Sequence, residues 1–317
     1  MNAISPNPQP SALFNRQRLR QNRLRARANF ADHNVLFEEV TMQLLDRLQG
    51  INRSFNRILD LGSRNFSLSK SLSKQDASRF IVHCPTLPDV KKLLPHHVCV
   101  ADEEWLPFRD ASFDLIISNL NLHWANDLPG ALIQMRRALK PDGFFLSALF
   151  GGETLRELRE CLYEAEMQLR GGVSQHISPF ADIQDCGSLL QRAGFTLPVV
   201  DKERFTLTYQ NSFQLMRELR GMGESNILNS RDKRFMPSEL FIEADRIYRN
   251  RYATKSESGK SENGPSEKID ATFDIIFIAG WAPHDNQQKP LKPGEAQSRL
   301  AKALNTQEIL TGEKSSP

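Results

Sequence analysis

The chain has 317 residues, of which 39% are hydrophobic and 25% are charged. This composition is typical of a packed globular protein and excludes wholesale disorder. No stretch approaches the ~18 consecutive apolar residues of a membrane span, so the sequence excludes an integral membrane protein. The four cysteines are widely spaced without a CxxC pair. They argue against a disulfide framework or a zinc finger and fit a reduced, cytosol-like compartment.

The formal net charge of +3 hides a basic N-terminal arm. Without its arginines the remainder of the chain is slightly acidic. Such an arm is suited to RNA, an acidic lipid surface or an acidic partner. Leucines are interleaved with the arginines and aromatic residues are not, so we favour a solvated helix over a nucleic-acid-binding surface. The six arginines are Arg16, Arg18, Arg20, Arg23, Arg25 and Arg27.

Short apolar runs alternate with helical patterns over residues 57–150. The runs predict buried strands over 57–59, 80–82, 98–101, 113–118 and 144–150. Helices are predicted over 68–74 and 128–139, after an earlier helix that carries Phe37, Val40 and Leu44 on one face. A tight turn is predicted at 140–143. This alternation predicts an α/β fold with a doubly wound, mostly parallel sheet and right-handed crossovers.

The pattern changes after residue 150. We predict helices over 153–169 and 187–193, a loop over 171–179 and a final buried strand over 273–281. The alternation over 199–209 predicts an exposed antiparallel pair, which gives a helical and hairpin elaboration. Residues 253–268 read as a solvated loop. The expected organisation is one domain over 13–285, flanked by disordered ends at 1–12 and 286–317.

The segment DLGSRNF at 60–66 follows the first predicted strand. A strand, an acidic residue and a glycine that leads into a helix form a nucleotide-type site at the carboxyl end of the strand. Gly62 is free to adopt positive φ and lets a ligand approach the backbone. Asp60 is placed to hold a ligand ammonium or to orient the loop. An ordinary strand-to-helix turn has the same pattern.

A second segment, ADEEWLPF at 101–108, precedes the clearest strand, and KPDG at 140–143 precedes the fifth. In this order the motifs resemble those of class I S-adenosylmethionine-dependent methyltransferases. The resemblance implies a sheet of about seven strands, with S-adenosyl-L-methionine bound over the core at 57–150 and the substrate side formed by 151–285. Asp102 matches the position that contacts adenine, and Asp114 is expected to cap or buttress the start of a strand.

Four further segments resemble one branch of that family, the group of the mitochondrial complex I assembly factor. The resemblance covers about residues 13–284. It implies hydroxylation of an arginine in a complex I subunit. The biotin-pathway malonyl-carrier-protein methyltransferases are similar at a greater distance. Because the resemblance begins near residue 13, a bacterial cytoplasm is expected, or the mitochondrial matrix if the source is eukaryotic. The segments are SNLNLHWANDLP at 118–129, FGGETL at 150–155, HISPF at 176–180 and GMGESN at 221–226.

The glycine loop departs from the family pattern. Arg64 and Phe66 occupy its second and third glycine positions, and no acidic residue follows the second strand to grip the ribose. If the cofactor binds in the usual place, Arg64 is expected to turn towards solvent or an acidic neighbour such as Asp60 or Glu103. An inward arginine would suit an anionic ligand or an empty scaffold. The cofactor-binding residues implied by the resemblance are Asp60, Gly62, Ser63, Ala101, Asp102, Glu103 and Asn119.

His123 and Glu224 are the candidate catalytic residues. His123 ends the fourth strand, where it suits a base, a substrate-orienting donor or, equally, a packed histidine. Glu224 lies in a glycine-rich loop and suits a cationic substrate such as an arginine. The same glycines also suit a helix C-cap. No metal is expected, because His96-His97 has no third ligand at useful spacing.

Three functions remain open from the sequence. The first is a methyltransferase-family enzyme that acts on a protein or carrier-bound substrate. Its chemistry needs proximity, orientation and a dry site more than a dedicated base. The second is arginine hydroxylation during assembly of respiratory complex I, and the third is a non-catalytic assembly module with a degenerate cofactor loop. Neither nucleic acid nor an integral membrane segment is expected.

Overall fold

The computed structural model describes residues 12–64, 66–87, 97–254 and 268–288. Its helices include two short 3-10 helices, Arg27–His33 and Leu122–Trp124. The strands are β1 (Arg57–Leu61), β2 (Phe80–Cys84), β3 (His97–Val98), β4 (Phe113–Asn119), β5 (Leu139–Phe150), β6 (Thr196–Tyr209), β7 (Ala253–Thr254) and β8 (Lys268–Trp281). The α-helices are α1 (Arg16–Ala26), α2 (Val35–Gln49), α3 (Ser67–Gln75), α4 (Leu128–Ala138), α5 (Arg156–Arg170), α6 (Ile183–Arg192), α7 (Ser212–Gly221) and α8 (Ser238–Tyr252).

All the described strands join one sheet, with the order β3-β2-β1-β4-β5-β8-β6 and β7 paired to β8. The first five strands in this order are parallel, and β8 runs antiparallel between β5 and β6. The order reverses between β1 and β4, and in open α/β sheets ligands bind at such a switch point. The predicted doubly wound, mostly parallel fold is confirmed.

Successive residues of each central strand face opposite layers, which explains the continuous apolar runs. Ile58 packs in the layer that contains α2, α5 and α8. Its neighbour Leu59 packs in the opposite layer against α4 and α6. Asp114 accepts hydrogen bonds from the backbone nitrogens of Asn56 and Arg57 and pairs with Lys140 at 2.6 Å. It therefore fixes the start of β1, the buttressing role that the sequence predicts.

Several boundaries differ from the sequence prediction. Of the strand predicted over 98–101, only Val98 lies in a strand, β3, and α6 begins at Ile183, before the helix predicted over 187–193. The turn at 140–143 is absorbed into β5, where Asp142 has φ of +62° and the pairing with β4 shifts register before Phe144. The prediction that 199–209 forms an antiparallel pair of strands is wrong, because this segment is one long edge strand, β6. It does pair antiparallel with β8, but α7 and α8 connect the two strands in place of a hairpin turn.

Several expectations fall outside the described residues, namely the disorder of 1–11, most of the loop at 253–268 and the tail from 289. The chain divides into a compact unit Met1–Pro283 and a second unit His284–Pro317. In the described part of the second unit, the Gln287 nitrogen donates to the His284 carbonyl at 3.2 Å. Among the described helices, none is both long and apolar enough to cross a bilayer.

Candidate active site

The carboxyl ends of β1 and β4 bring the glycine loop against the segment that follows β4. Gly62 has φ of +73°, and a Cβ atom there would lie 2.1 Å from Nδ2 of Asn121. Its nitrogen donates to the carbonyl of Cys84 at 2.7 Å, which ties the loop to the end of β2. Glycine is therefore required at 62 both for its backbone conformation and for the close approach of Asn121.

Asp60 is completely buried at the end of β1. One carboxylate oxygen shares a hydrogen bond with Nδ1 of His83 at 3.0 Å and accepts another from the hydroxyl of Ser69. The ring of Phe66 stacks on His83 with a centroid distance of 3.9 Å. Asp60 thus joins the end of β1 to β2 and α3, while its Oδ1 has no hydrogen-bond partner among the described residues. Burial without a partner is costly, so this oxygen is suited to a ligand donor.

Helix α1 covers the segment after β3. Arg16 lies 2.9 Å from a carboxylate oxygen of Asp102 and 2.5 Å from one of Glu103, and it donates to the Trp124 carbonyl at 2.9 Å. Arg20 holds the other Asp102 oxygen at 3.1 Å. Burial alone would lower the pKa of Arg16, but Glu103 and Asp102 raise it above its ordinary value.

Arg23 is the most deeply buried arginine of this helix, at 1% exposure. Its Nη1 donates to Oδ1 of Asn121 at 2.7 Å and to the hydroxyl of Thr86 at 3.1 Å. Within the described residues its Nε and Nη2 have no hydrogen-bond partner, and Nη2 lies 4.0 Å from Oε1 of Glu224. Burial lowers the pKa of Arg23. The prediction of a solvated arginine helix is therefore wrong for Arg16 and Arg23, because buried polar groups of the site attract them inward.

Arg64 is buried and pairs with an acidic residue that the sequence did not identify as its partner. Its side chain is only 7% exposed, and its Nη1 donates to Oε1 of Glu224 at 2.8 Å. The guanidinium lies over the ring of Phe30 at 4.7 Å and near that of Phe37 at 5.6 Å. Arg64 thus turns to an acidic residue, as the sequence predicts, but that residue is Glu224 and not Asp60 or Glu103, and the side chain does not reach solvent. Burial and the charge of Arg23 lower the pKa of Arg64 to about 9, so it stays charged at neutral pH.

Glu224 follows the end of α7, where Gly223 adopts φ of +72°. This backbone reversal drives the carboxylate inward. Besides Arg64, it accepts from Nε1 of Trp124 at 2.5 Å and from Nε2 of His123 at 3.3 Å. Burial alone would raise the pKa of Glu224, but the hydrogen bond of His123 and the charges of Arg23 and Arg64 lower it to about 2. A cationic substrate that reaches this carboxylate would compete with Arg64 for it.

His123 lies in the 3-10 helix after β4 with 1% of its side chain exposed. Its ring packs 4.6 Å from that of Phe150 and 5.7 Å from that of Phe180. Burial lowers its pKa, so the imidazole is neutral at neutral pH. Nε2 faces Glu224, and Nδ1 has no partner. The sequence left two roles for His123, that of a packed side chain and that of a proton acceptor. The observed geometry is compatible with both.

The remaining sequence-predicted positions surround this centre. The Asn119 amide donates to the Phe37 carbonyl and to Thr41, each at 2.9 Å, which tethers α2 to the sheet. Ser63 is buried and Ala101 half-buried. Arg23, Asn121 and Thr86 were missed. A signal for Arg23 exists, because Leu19, Arg23 and Ala26 share one helical face and the apolar members mark that face as buried.

A cleft of about 370 Å³ opens on the other side of Glu224. Its walls are mostly apolar and come from α5, α7 and the segment around Phe180. Trp124 and Glu224 line it, and further polar groups come from His176, Asp232, Arg18, Arg220 and Arg231. Among the described residues, no group of three or more His, Cys, Asp or Glu side chains could hold a metal ion.

Comparison with known proteins gives consistent matches. A family profile described as "Methyltransferase domain" matches residues 59–147. A zebrafish (Danio rerio) protein named "Arginine-hydroxylase NDUFAF5, mitochondrial" is 39% identical over 85% of this chain and 82% of its own length. A malonyl-[acyl-carrier protein] O-methyltransferase from Xylella fastidiosa is 32% identical over 86% of this chain and 90% of its own length.

Solved structures agree on the fold. A putative methyltransferase from Bacillus halodurans superposes with a TM-score of 0.51 at 14% identity, over 76% of this chain and 99% of its own. At this identity the likeness concerns the fold alone. The sequence relatives go further, because they match over most of both chains. This chain belongs to the class I S-adenosylmethionine-dependent methyltransferase family of enzymes, whose cofactor is S-adenosylmethionine, in the branch related to the mitochondrial arginine hydroxylase.

Proposed function

We propose that this chain binds S-adenosylmethionine at the carboxyl ends of β1 and β4 and modifies a side chain of a protein or carrier-bound substrate. The observation that carries the proposal is a group of buried polar atoms, on Asp60 at the end of β1, on residues that follow β4 and on residues packed near them, that have no hydrogen-bond partner in the described part of the chain. Native proteins rarely leave such atoms unpaired, and a polar ligand is the simplest partner for them. The atoms are Oδ1 of Asp60, Oε2 of Glu103 (its other oxygen pairs with Arg16), Nε and Nη2 of Arg23, Nδ2 of Asn121 and Nδ1 of His123.

The donor set fits this cofactor, which carries an ammonium, a carboxylate and a hydroxyl-rich nucleoside. The free oxygen of Asp60 suits the ammonium, and the free nitrogens of Arg23 suit the carboxylate. Asp102 and Glu103, with the neighbouring Ala101, are assigned to the nucleoside by the family pattern. Arg64 does not oppose this assignment, because its guanidinium is directed to Glu224. We further assign Gly62, Ser63 and the free oxygen of Asn119 to the walls of this site.

The substrate side chain is assigned to the apolar cleft that Glu224 and Trp124 line. Bound S-adenosylmethionine would supply an electrophilic methyl group. The protein's contribution is to exclude water and hold the substrate in line. His123 is placed to accept a proton at Nδ1, since Glu224 engages its other nitrogen. Glu224, already paired with Arg64, acts in this account as the group that positions His123 and Trp124.

A second candidate is hydroxylation of an arginine in a subunit of respiratory complex I. This reaction needs an external oxidant: one atom of dioxygen enters the arginine, and a reductant supplies the two electrons that convert the other atom to water. It is favoured by the relatives named as arginine hydroxylases, which reach 40% identity in Homo sapiens over 82% of this chain and 74% of that protein. The corresponding location is the bacterial cytoplasm, or the mitochondrial matrix if the source is eukaryotic. Under this candidate the same cleft receives the arginine, whose guanidinium competes with Arg64 for Glu224.

Mass spectrometry of respiratory proteins from a deletion strain and its parent distinguishes the two chemistries. Loss of a mass equal to one methylene from a protein or carrier supports methyl transfer. Loss of one oxygen from an arginine supports hydroxylation. Calorimetric titration with S-adenosylmethionine tests what both share, and an absence of binding would leave the non-catalytic assembly module. Identical masses in the two strains, despite cofactor binding, would contradict both chemistries for those proteins.

A further inference from the structure

A second cleft, of about 670 Å³, lies between α1 and α7. Its lining is strongly basic. Arg18 and Arg25 contribute from α1, seven residues apart on one helical face. Arg217 and Arg220 contribute from α7, three residues apart on one face of that helix. Two helices distant in sequence thus direct their cations to one space.

These cations are not neutralised within the part of the chain that the structure describes. Arg25, Arg217 and Arg220 are exposed and form no ion pair with a described carboxylate. Arg18 donates only to the carbonyl of Asn226, at 3.3 Å. The acidic residue of α7, Glu218, is engaged by His33 at 2.6 Å. Most other arginines of α1 differ, because Arg16 and Arg20 face carboxylates and Arg23 faces Asn121.

The excess of positive charge in the cleft affects the arginines themselves. Burial lowers the pKa of Arg18, and the charges of Arg231 and Arg25 lower it further. Like charges held close together without counter-ions favour an anionic ligand. The basic cleft also adjoins the apolar substrate cleft, since Arg18, Arg220 and Ser225 line both. A substrate polypeptide that inserts a side chain into the apolar cleft would therefore pass next to the arginines of the basic cleft.

We propose that the cleft between α1 and α7 docks an acidic segment of the protein substrate, next to the residue that is modified. The proposal rests on the proposed function and adds the chemistry by which the substrate is recognised. A polypeptide is favoured over a small anion because the cations are spread along two helices and lead into the substrate cleft. Carboxylates along an extended segment match that spacing, and charge complementarity supplies attraction and orientation.

The test measures binding of a fluorescent oligoglutamate peptide to the full chain. The double variant R217E/R220E should weaken binding by at least about tenfold, because two attractive charges become repulsive. A neutral double variant, R217Q/R220Q, should show a smaller loss, and added salt should reduce binding by the parent. The matched control is R109E/R192E, which reverses two exposed arginines outside the cleft; Arg192, like Arg220, lies in the last turn of its helix.

Equal weakening in the control would overturn the proposal, since it would show attraction to net charge alone. Absence of peptide binding by the parent would also overturn it. A third contradicting result is binding of phosphatidylserine vesicles, but not of the peptide, that depends on Arg217 and Arg220. The ligand of the cleft would then be a membrane surface. Melting temperatures identify a variant that fails to fold. Titration with S-adenosylmethionine separates this proposal from the proposed function, because loss of docking should leave cofactor affinity unchanged.

Discussion

Two buried glutamates, each paired with a histidine, invite comparison. Glu166 lies near the end of α5 and accepts from the nitrogen and hydroxyl of Ser174, at 2.7 and 2.9 Å, and from Nε2 of His176 at 2.9 Å. Arg170 adds an ion pair at 3.2 Å. These contacts fix the loop that follows α5. Glu224 has a similar number of partners, but several buried polar groups around it remain unpaired.

The difference separates a structural cluster from a functional one. No polar side-chain atom of Glu166, Ser174 or His176 is buried without a partner. Such a complete network stabilises the loop after α5 and needs no ligand to satisfy it, even though His176 also lines the apolar cleft. Next to Glu224, the unpaired atoms belong to side chains that other contacts hold in place: Asn121 and Thr86 hold Arg23, and Glu224 and Phe150 hold His123. Proteins retain such incomplete networks chiefly where a ligand or a reaction completes them.

Removing the Glu224 charge should have the largest effect on stability. In Glu224→Gln, the buried Arg64 and Arg23 lose their shared anion, and uncompensated buried charges cost about 3–5 kcal/mol. Chemical denaturation should show a loss of that size in the free energy of unfolding. An unchanged midpoint and slope would contradict the assigned charge state of this cluster.

The same carboxylate predicts a pH dependence. The pKa of Glu224 is lowered from 4.5 to about 2 in the folded state. Its contribution to stability is therefore fully present above about 4.5 and is lost as pH falls towards about 2. The stability difference between the parent and Glu224→Gln should narrow across that interval. A difference that stays constant down to pH ~2 would show that the carboxylate does not titrate there.

Arg64→Gly should separate stability from cofactor binding. Glu224 keeps its contacts with Trp124 and His123 but loses its shortest cationic partner, so unfolding should become easier by about 2 kcal/mol. Affinity for S-adenosylmethionine should change little, because the guanidinium points to Glu224. Calorimetry provides the check. A large gain in affinity would indicate that Arg64 blocks the site in the parent, and a large loss would make it a direct contact to the ligand.

Arg23→Met should change stability little and weaken cofactor binding, the reverse of Arg64→Gly. Methionine fills the buried volume without a charge, and replacing an incompletely paired buried charge by an apolar side chain costs little stability. The cofactor loses a charge-assisted partner, so its dissociation constant should rise at least tenfold, about 1.4 kcal/mol. Arg25→Met, on the exposed face of the same helix, is the matched control and should bind as the parent does. Equal affinities in both variants would remove Arg23 from the site.

The smallest functional effect is expected for Glu166→Gln. The substitution weakens charge-assisted hydrogen bonds to Ser174 and His176 and should cost about 1–2 kcal/mol of stability. Cofactor affinity should be unaltered, because the cluster is complete without a ligand. A marked loss of affinity in this variant would abolish the distinction between the two glutamates.

The sequence predicted the strands of the core and the position of the glycine loop, because buried parallel strands leave continuous apolar runs. It could not identify the contact of Arg23, since its partner Asn121 is 98 residues away and nothing local specifies that contact. The acidic residue that pairs with Arg64 was not identified for a related reason. That residue, Glu224, is 160 residues away, and only the reversal at Gly223 brings the two side chains together. Local patterns therefore define the fold better than they define a site built from distant segments.

A crystal structure with S-adenosylhomocysteine bound would test the central claim most directly. The account predicts that the ligand's carboxylate contacts the free nitrogens of Arg23, that its ammonium contacts the free oxygen of Asp60, and that the Glu166 cluster is unchanged. Ordered water molecules on those atoms with the ligand bound elsewhere would contradict it.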